Sequence, residues 1–276
     1  GHPLSEHESP RDKSACLGSG PVPLFGPTLW SIVWIFSRGL MFWVWWTRSR
    51  FISQDVAYYF SQLTGNPPES ALAEYPTPVV WLLALIRLVS ADKQALFLTL
   101  FALTMFSLDA AATVVLYRCS RWAALYWAVF TFNLGALIWF RIDLIPAVAV
   151  MLALIWLSSR PIASGVAIAV GAATKLWPTL LIVPLLGRLP EARQRGIGFV
   201  LAGVALGAAS LLLAGWRRSV SPLTWQSDRG LQIESIAATW PMIRHTGAAG
   251  GGYRVWLSTH NAWEITGPGV AGWLRF

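Results

Sequence analysis

Gln94-Ala95-Leu96-Phe97-Leu98-Thr99-Leu100-Phe101-Ala102-Leu103-Thr104-Met105-Phe106-Ser107-Leu108-Asp109-Ala110-Ala111-Ala112-Thr113-Val114-Val115-Leu116 is one apolar run with Asp109 as its single charge. As a helix rising about 1.5 Å per residue, it exceeds the roughly 30 Å hydrocarbon core of a bilayer. It lacks the strict alternation of a barrel strand, so the spacing predicts a membrane-spanning helix. Asp109 sits in its middle, where a charge needs a partner, and Arg38 and Arg87 are the candidates for a structural pair.

Working outward, the first span is predicted from about Leu24 to Trp46, with Arg38 inside it. Tyr75-Pro76-Thr77-Pro78 opens an apolar helix to about Val89, too short for a full crossing and read as a half-span. Further spans are predicted at about Trp122 to Phe140, Asp143 to Leu157 and Ile197 to Trp216. Two short apolar pieces, Ile162 to Ala173 and Leu176 to Leu186, meet at Thr174-Lys175-Leu176-Trp177-Pro178. A lysine followed closely by proline there predicts a broken or re-entrant helix lining a cavity.

Composition agrees with this class. A chain that is 55% hydrophobic and 12% charged does not make a soluble surface, and the fold class is an all-α polytopic membrane protein. Many of the 17 tryptophans fall at segment ends, which suits the headgroup region. The formal charge of +8 is dispersed over short loops, which argues against nucleic acid as a partner and makes the basic residues topology signals. Arg118 with Arg121, Arg160, and Arg188 with Arg193 and Arg195 share the cytoplasmic side by this reading, which sends Lys175 and Arg141-Ile142-Asp143 to the opposite face. The two cysteines, Cys16 and Cys119, imply no disulfide framework or metal motif. Residues 1–22 are predicted to be a disordered tail and residues 23–276 one multi-span domain, expected to continue beyond its C-terminus, with external loops at about 47–78 and 217–266.

The first external loop contains Arg50-Phe51-Ile52-Ser53-Gln54-Asp55-Val56-Ala57-Tyr58-Tyr59-Phe60. A helix starting there puts Asp55, Tyr58, Tyr59 and Gln62 on one face, turned to a cavity, and Val56, Phe60 and Leu63 on the other. The chain has no Walker loop, HExxH or GxSxG. What it has is isolated polar groups at comparable depth: Asp55, Tyr58, Tyr75, Arg141, Asp143, Lys175, Arg229, Gln232, Glu234 and His260. An acid among cations suits transfer from an anionic donor, the acid taking a proton and the cations holding phosphate. Each also has a plainer role. Asp55 and Asp143 can cap helices, Arg141 can anchor a span end and Lys175 can snorkel. Arg229 and Glu234 can pair on an exposed helix, and His260 can be a loop histidine.

Taken together, the segments resemble the integral-membrane glycosyltransferases of the GT-C superfamily, and especially glycosyltransferase family 87. The resemblance rests on Ser53-Gln54-Asp55-Val56-Ala57-Tyr58-Tyr59, Tyr75-Pro76-Thr77-Pro78, Arg141-Ile142-Asp143-Leu144-Ile145-Pro146, Ala173-Thr174-Lys175-Leu176-Trp177-Pro178 and Arg229-Gly230-Leu231-Gln232-Ile233-Glu234-Ser235. It implies a GT-C-like helical bundle in the plasma membrane with an extracytoplasmic active site. It implies an inverting transfer of a sugar, mannose first, from a polyprenyl-phosphate donor to a glycolipid or lipoglycan acceptor of the cell envelope. By the resemblance Asp55 is the general base. Lys175, Arg229, Arg141 and His260 become candidates for the donor phosphate, and Tyr58, Tyr59, Tyr75, Gln232 and Glu234 for sugar or acceptor. No cofactor is required by the sequence. Asp55 has no second acid near it in sequence, so a tightly held metal is not implied and divalent-ion use is open. Three other readings stay open here: arabinofuranosyl transfer from decaprenyl-phosphate arabinose, a non-enzymatic flippase for lipid-linked sugars, and a non-catalytic membrane scaffold.

Overall fold

The computed structural model describes residues 26–186, 191–227, 229–247, 250–258 and 262–274. The predicted tail, residues 1–22, lies outside them, as does His260. The chain divides into two compact units, Gly1–Ser219 and Val220–Phe276.

The first unit is helical. Pro27 at the first turn starts α1 (Pro27–Arg48), and the chain then passes through a 3-10 turn at Arg50–Ser53 into α2 (Gln54–Gly65). The predicted external loop at 47–78 therefore contains the helix foreseen around Asp55. It is followed by α3 (Thr77–Val89), whose 13 residues reach about 20 Å, short of a crossing, as expected of a half-span. The run quoted above forms α4 (Gln94–Cys119). Ser120 caps α5 (Arg121–Leu134), its hydroxyl accepting from the Ala123 amide, and Gly135, at φ 62°, turns the chain into a 3-10 segment to Trp139.

Next come α6 (Leu144–Ile155) and α7 (Pro161–Ala172), a tight antiparallel hairpin in which the Ser164 hydroxyl donates to the Ala153 carbonyl at 2.7 Å and Gly171 lies against Ala149. After α7 the helix breaks, as the Lys175–Pro178 stretch predicts. Lys175 and Thr174 turn back on the Gly171 carbonyl, and a 3-10 segment, Trp177–Leu181, leads into α8 (Ile182–Leu186).

The helical run α9 (Ala192–Ser227) extends past Arg217, so the first part of the predicted external region 217–266 is helical. It is interrupted at Gly215, whose φ of 79° and ψ of 170° no helix contains. Nine residues of straight helix would separate Ser210 from Ser219 by about 13.5 Å. Their hydroxyls instead lie 2.7 Å apart, so the chain doubles back at the glycine. Four helical segments among the described residues are long and apolar enough to cross a membrane: Pro27–Arg48, Gln94–Cys119, Arg121–Trp139 and Ala192–Trp225. Large apolar side chains such as Phe36, Trp43, Leu180 and Leu212 are exposed along the apolar helices, which a bilayer accommodates. The chain is a helical polytopic membrane protein.

Inside this bundle Arg38 and Asp109 are both buried, 2% and 0% exposed, and form a two-pronged ion pair with both contacts at 3.0 Å. Trp127 donates to the same carboxylate at 2.9 Å, and Arg38 also donates to the Thr131 hydroxyl at 2.6 Å. Of the two candidate partners for Asp109, Arg38 is the one used. Arg87 pairs with Asp92 at 2.5 Å.

The second unit carries a small antiparallel sheet of order β1-β3-β2, built from β1 (Leu231–Gln232), β2 (Arg254–Leu257) and β3 (Trp263–Thr266). With α10 (Thr239–Thr246) and α11 (Val270–Trp273) it encloses a core of Leu231, Ala238, Ile265 and Val270. The strands are a local departure from the helical plan.

Candidate active site

Three elements of the first unit bring polar side chains to one place. Asp55 stands in the first turn of α2, Arg141 follows the 3-10 segment after α5, and Asp143 directly precedes α6. Because α6 and α7 run antiparallel, the end of α7 returns beside the start of α6 and carries Lys175 to Asp143.

The Asp55 carboxylate takes Arg141 through Oδ2, at 2.8 Å from Nε. Arg141 Nε also lies 4.0 Å from Asp143 Oδ2, and Asp143 Oδ1 accepts from Lys175 Nζ. The four side chains are 41–47% exposed, so the array is open to a ligand. Two carboxylates alternate with two cations, and the formal charge of the array is zero.

Behind it stand two tyrosines whose hydroxyls are 3.5 Å apart, Tyr59 and Tyr75. Burial, with help from the neighbouring tyrosine and Asp55, pushes the Tyr59 phenol far up; burial also raises that of Tyr75. Both stay protonated, as hydrogen-bond donors rather than bases. Burial opposes the charge on Arg141, but Asp55 and then Asp143 outweigh it and hold the guanidinium above its ordinary value. The carboxylates of the array are Asp55 and Asp143.

Several expectations are corrected here. Tyr59 does not share an open face with Asp55: it is 2% exposed and packs with Val56 and Leu63, because α2 lies against α4 through that stripe. Tyr58 is half-buried and donates to Glu74 at 2.8 Å, a carboxylate that sequence reasoning passed over. Asp143 does not cap α6, since its side chain makes no capping hydrogen bond. Lys175 pairs with Asp143 rather than extending to the interface alone. Asp55 also has a second acid nearby, Asp143, on the far side of Arg141. The described residues contain no group of three or more metal-ligating side chains.

Arg218 is a further missed residue. It is buried and donates to the Leu72 and Tyr75 carbonyls at 3.0 and 3.1 Å, holding a strap in which Leu72 adopts φ 52°. It thereby fixes the backbone that presents Tyr75. The signal available was a doubled arginine, Arg217-Arg218, directly after an apolar run, which reads as a span-end anchor.

Arg229, Gln232 and Glu234 belong to the second unit. Arg229 is half-buried and its Nε has no hydrogen-bond partner among the described residues. Gln232 sits in β1 opposite Glu264, and Glu234 is exposed in the turn that follows. The stretch is strand and turn, not the exposed helix on which Arg229 and Glu234 were to pair. Gly230 lies against the Glu264 side chain, and a Cβ there would stand 2.4 Å from Oε2 unless that carboxylate shifted.

A comparison with protein families matches residues 73–274 to glycosyltransferase family 87. The chain belongs to that family. It is thus a membrane glycosyltransferase, with a sugar donor and an acceptor as its substrates. The matched region includes Arg141, Asp143, Lys175 and the second unit up to residue 274; Asp55 precedes it. Comparison with curated proteins and with solved structures gives no match.

Proposed function

We propose that this glycosyltransferase moves a sugar, mannose as first choice, from a polyprenyl-phosphate carrier to an envelope glycolipid or lipoglycan. The reaction is inverting. Asp55 takes the proton of the acceptor hydroxyl as its oxygen attacks the anomeric carbon. The bond from that carbon to the phosphate oxygen breaks with its electron pair leaving on phosphate, and Lys175 and Arg141 stabilise the departing charge. Arg229 and His260 are further candidates for the phosphate, and Tyr58, Tyr75, Gln232 and Glu234 for sugar or acceptor. Tyr59 supports Tyr75 from beneath.

The observation that carries this reading is the half-exposed array of Asp55, Arg141, Asp143 and Lys175 at the ends of apolar helices in a family 87 chain. A lipid-linked donor is further supported by an apolar cavity of about 630 Å³ between α1 and α4, lined by Trp34, Phe42, Trp45, Phe106, Trp139 and Phe140. Trp45 stacks on Phe140 at 4.7 Å, and Phe140 immediately precedes Arg141, so an isoprenoid in that cavity would have its phosphate end close to the cations. On this reading the protein lies in the plasma membrane with an extracytoplasmic site, an orientation that some of the loop charges support. Arg118, Arg121 and Arg160 lie at the opposite ends of the α4–α5 and α6–α7 hairpins from Arg141 and Lys175.

The test is transfer in membranes carrying the protein, supplied separately with polyprenyl-phosphate mannose and decaprenyl-phosphate arabinose. Product from the mannose donor alone supports the reading. Product from arabinose alone corrects the sugar, and transfer from nucleotide sugars in place of both overturns the donor class.

A further inference from the structure

The two cations assigned to the donor phosphate are both held by carboxylates in the structure. Arg141 is on Asp55, and Lys175 is on Asp143, whose other oxygen faces Arg141 at 4.0 Å. A phosphate that reaches Lys175 therefore shares it, or competes for it, with a resident anion. Asp143 lies where an acid capping α6 would sit, yet its side chain makes no capping contact. Its position is used for the cation.

The chemistry gives this a consequence. A polyprenyl-phosphate sugar is a phosphodiester with one negative charge, whereas the polyprenyl phosphate left after transfer is a monoester, whose second ionisation falls near pH 6. The product is more anionic than the substrate. A cation pair with no competitor would hold the product more tightly than the donor, and release would limit turnover.

On the reading that Lys175 and Arg141 bind the phosphate, we propose that Asp143 is a positioning residue, an internal counter-anion that reclaims Lys175 from the departing polyprenyl phosphate and so drives product release. It touches neither the sugar nor the attacking hydroxyl. It acts through Lys175, and its competition falls harder on retention of product than on the chemical step.

The experiment measures donor KM, kcat and the inhibition constant of added polyprenyl phosphate for the parent, Asp143→Asn and Asp143→Glu in detergent-solubilised full-length protein. Removing one like charge about 4 Å from the phosphate strengthens its binding roughly fivefold in a water-like dielectric. Asp143→Asn is expected to lower the inhibition constant by about that factor and to lower KM and kcat together, whereas Asp143→Glu, which keeps the charge, restores the parent values. Should the Asn variant fail to fold, Asp143→Ser, with a residue favoured before a helix, carries the same expectation. Active parent with an inhibition constant unchanged or raised in the charge-removed variants overturns the role of Asp143 alone. A parent that neither transfers sugar nor is bound by polyprenyl phosphate overturns both this role and the function on which it rests.

Discussion

Arg38 and Asp109 show what a single residue can do in a membrane bundle. A charge buried in hydrocarbon is tolerated only with a partner, and here Trp127 and Thr131 of α5 join the Arg38 guanidinium of α1 and the Asp109 carboxylate of α4. Removing one member leaves the other uncompensated, at a cost of about 3–5 kcal/mol. Asp109→Asn is therefore expected to lower the thermal unfolding midpoint in detergent sharply, and Arg38→Met with Asp109→Leu to lower it less than either single change. An Asp109→Asn protein as stable as the parent would show that the pair does not hold the bundle. This contact was legible in the sequence because an isolated charge in a span demands a partner and few were on offer. Asp143 was less legible. Before a helix an acid looks like a cap, and its true partner, Lys175, becomes near only once α6 and α7 fold into a hairpin. Tyr59 was misplaced for a related reason: helical spacing groups residues by angle, but which angle is buried depends on where α4 lies.

At the level of elements, the hairpin α6–α7 and its neighbour α9 depend on glycine. A Cβ at Gly165 would stand 1.9 Å from the Arg195 carbonyl oxygen, and one at Gly198 would stand 2.1 Å from that of Ile162. The two backbones are in direct contact, as small residues permit between membrane helices. Gly165→Ala or Gly198→Ala must push α7 and α9 apart, with an overpacking cost of about 1–3 kcal/mol or more. Gly207→Ala meets nothing within 4 Å and removes a poor helix former, so a gain of up to about 1 kcal/mol is expected. The ranking of the three variants by thermal midpoint checks this, and equal midpoints would deny the close approach. The helix–break–helix around Lys175 was readable from a lysine and a proline set between apolar pieces. The reversal at Gly215 was not: Ala214-Gly215-Trp216 continues an apolar run, and only the Ser210–Ser219 contact reveals that the chain turns. The small sheet of the second unit was equally hidden, since its strands have only two to four residues and too little alternation to register.

For the whole molecule, the helical membrane class was readable from the apolar runs, and the pairing of hairpins gives it a polarity. Arginines gather at the turns Arg118–Arg121 and Arg160, and the ion-pair array sits at the other ends of the same helices. In a background lacking Cys16 and Cys119, Gln54→Cys is expected to react with a membrane-impermeant maleimide on intact cells, and Ser159→Cys only after permeabilisation. The reverse pattern would move the site to the cytoplasmic side. The central claim is that Asp55 is the base for glycosyl transfer. It is tested most directly by single-turnover sugar transfer from polyprenyl-phosphate mannose, comparing the parent with Asp55→Asn at matched amounts of folded protein. Loss of a general base predicts a rate lower by roughly 10²- to 10⁴-fold with donor still bound, and an Asp55→Asn enzyme transferring at the parental rate would contradict the account.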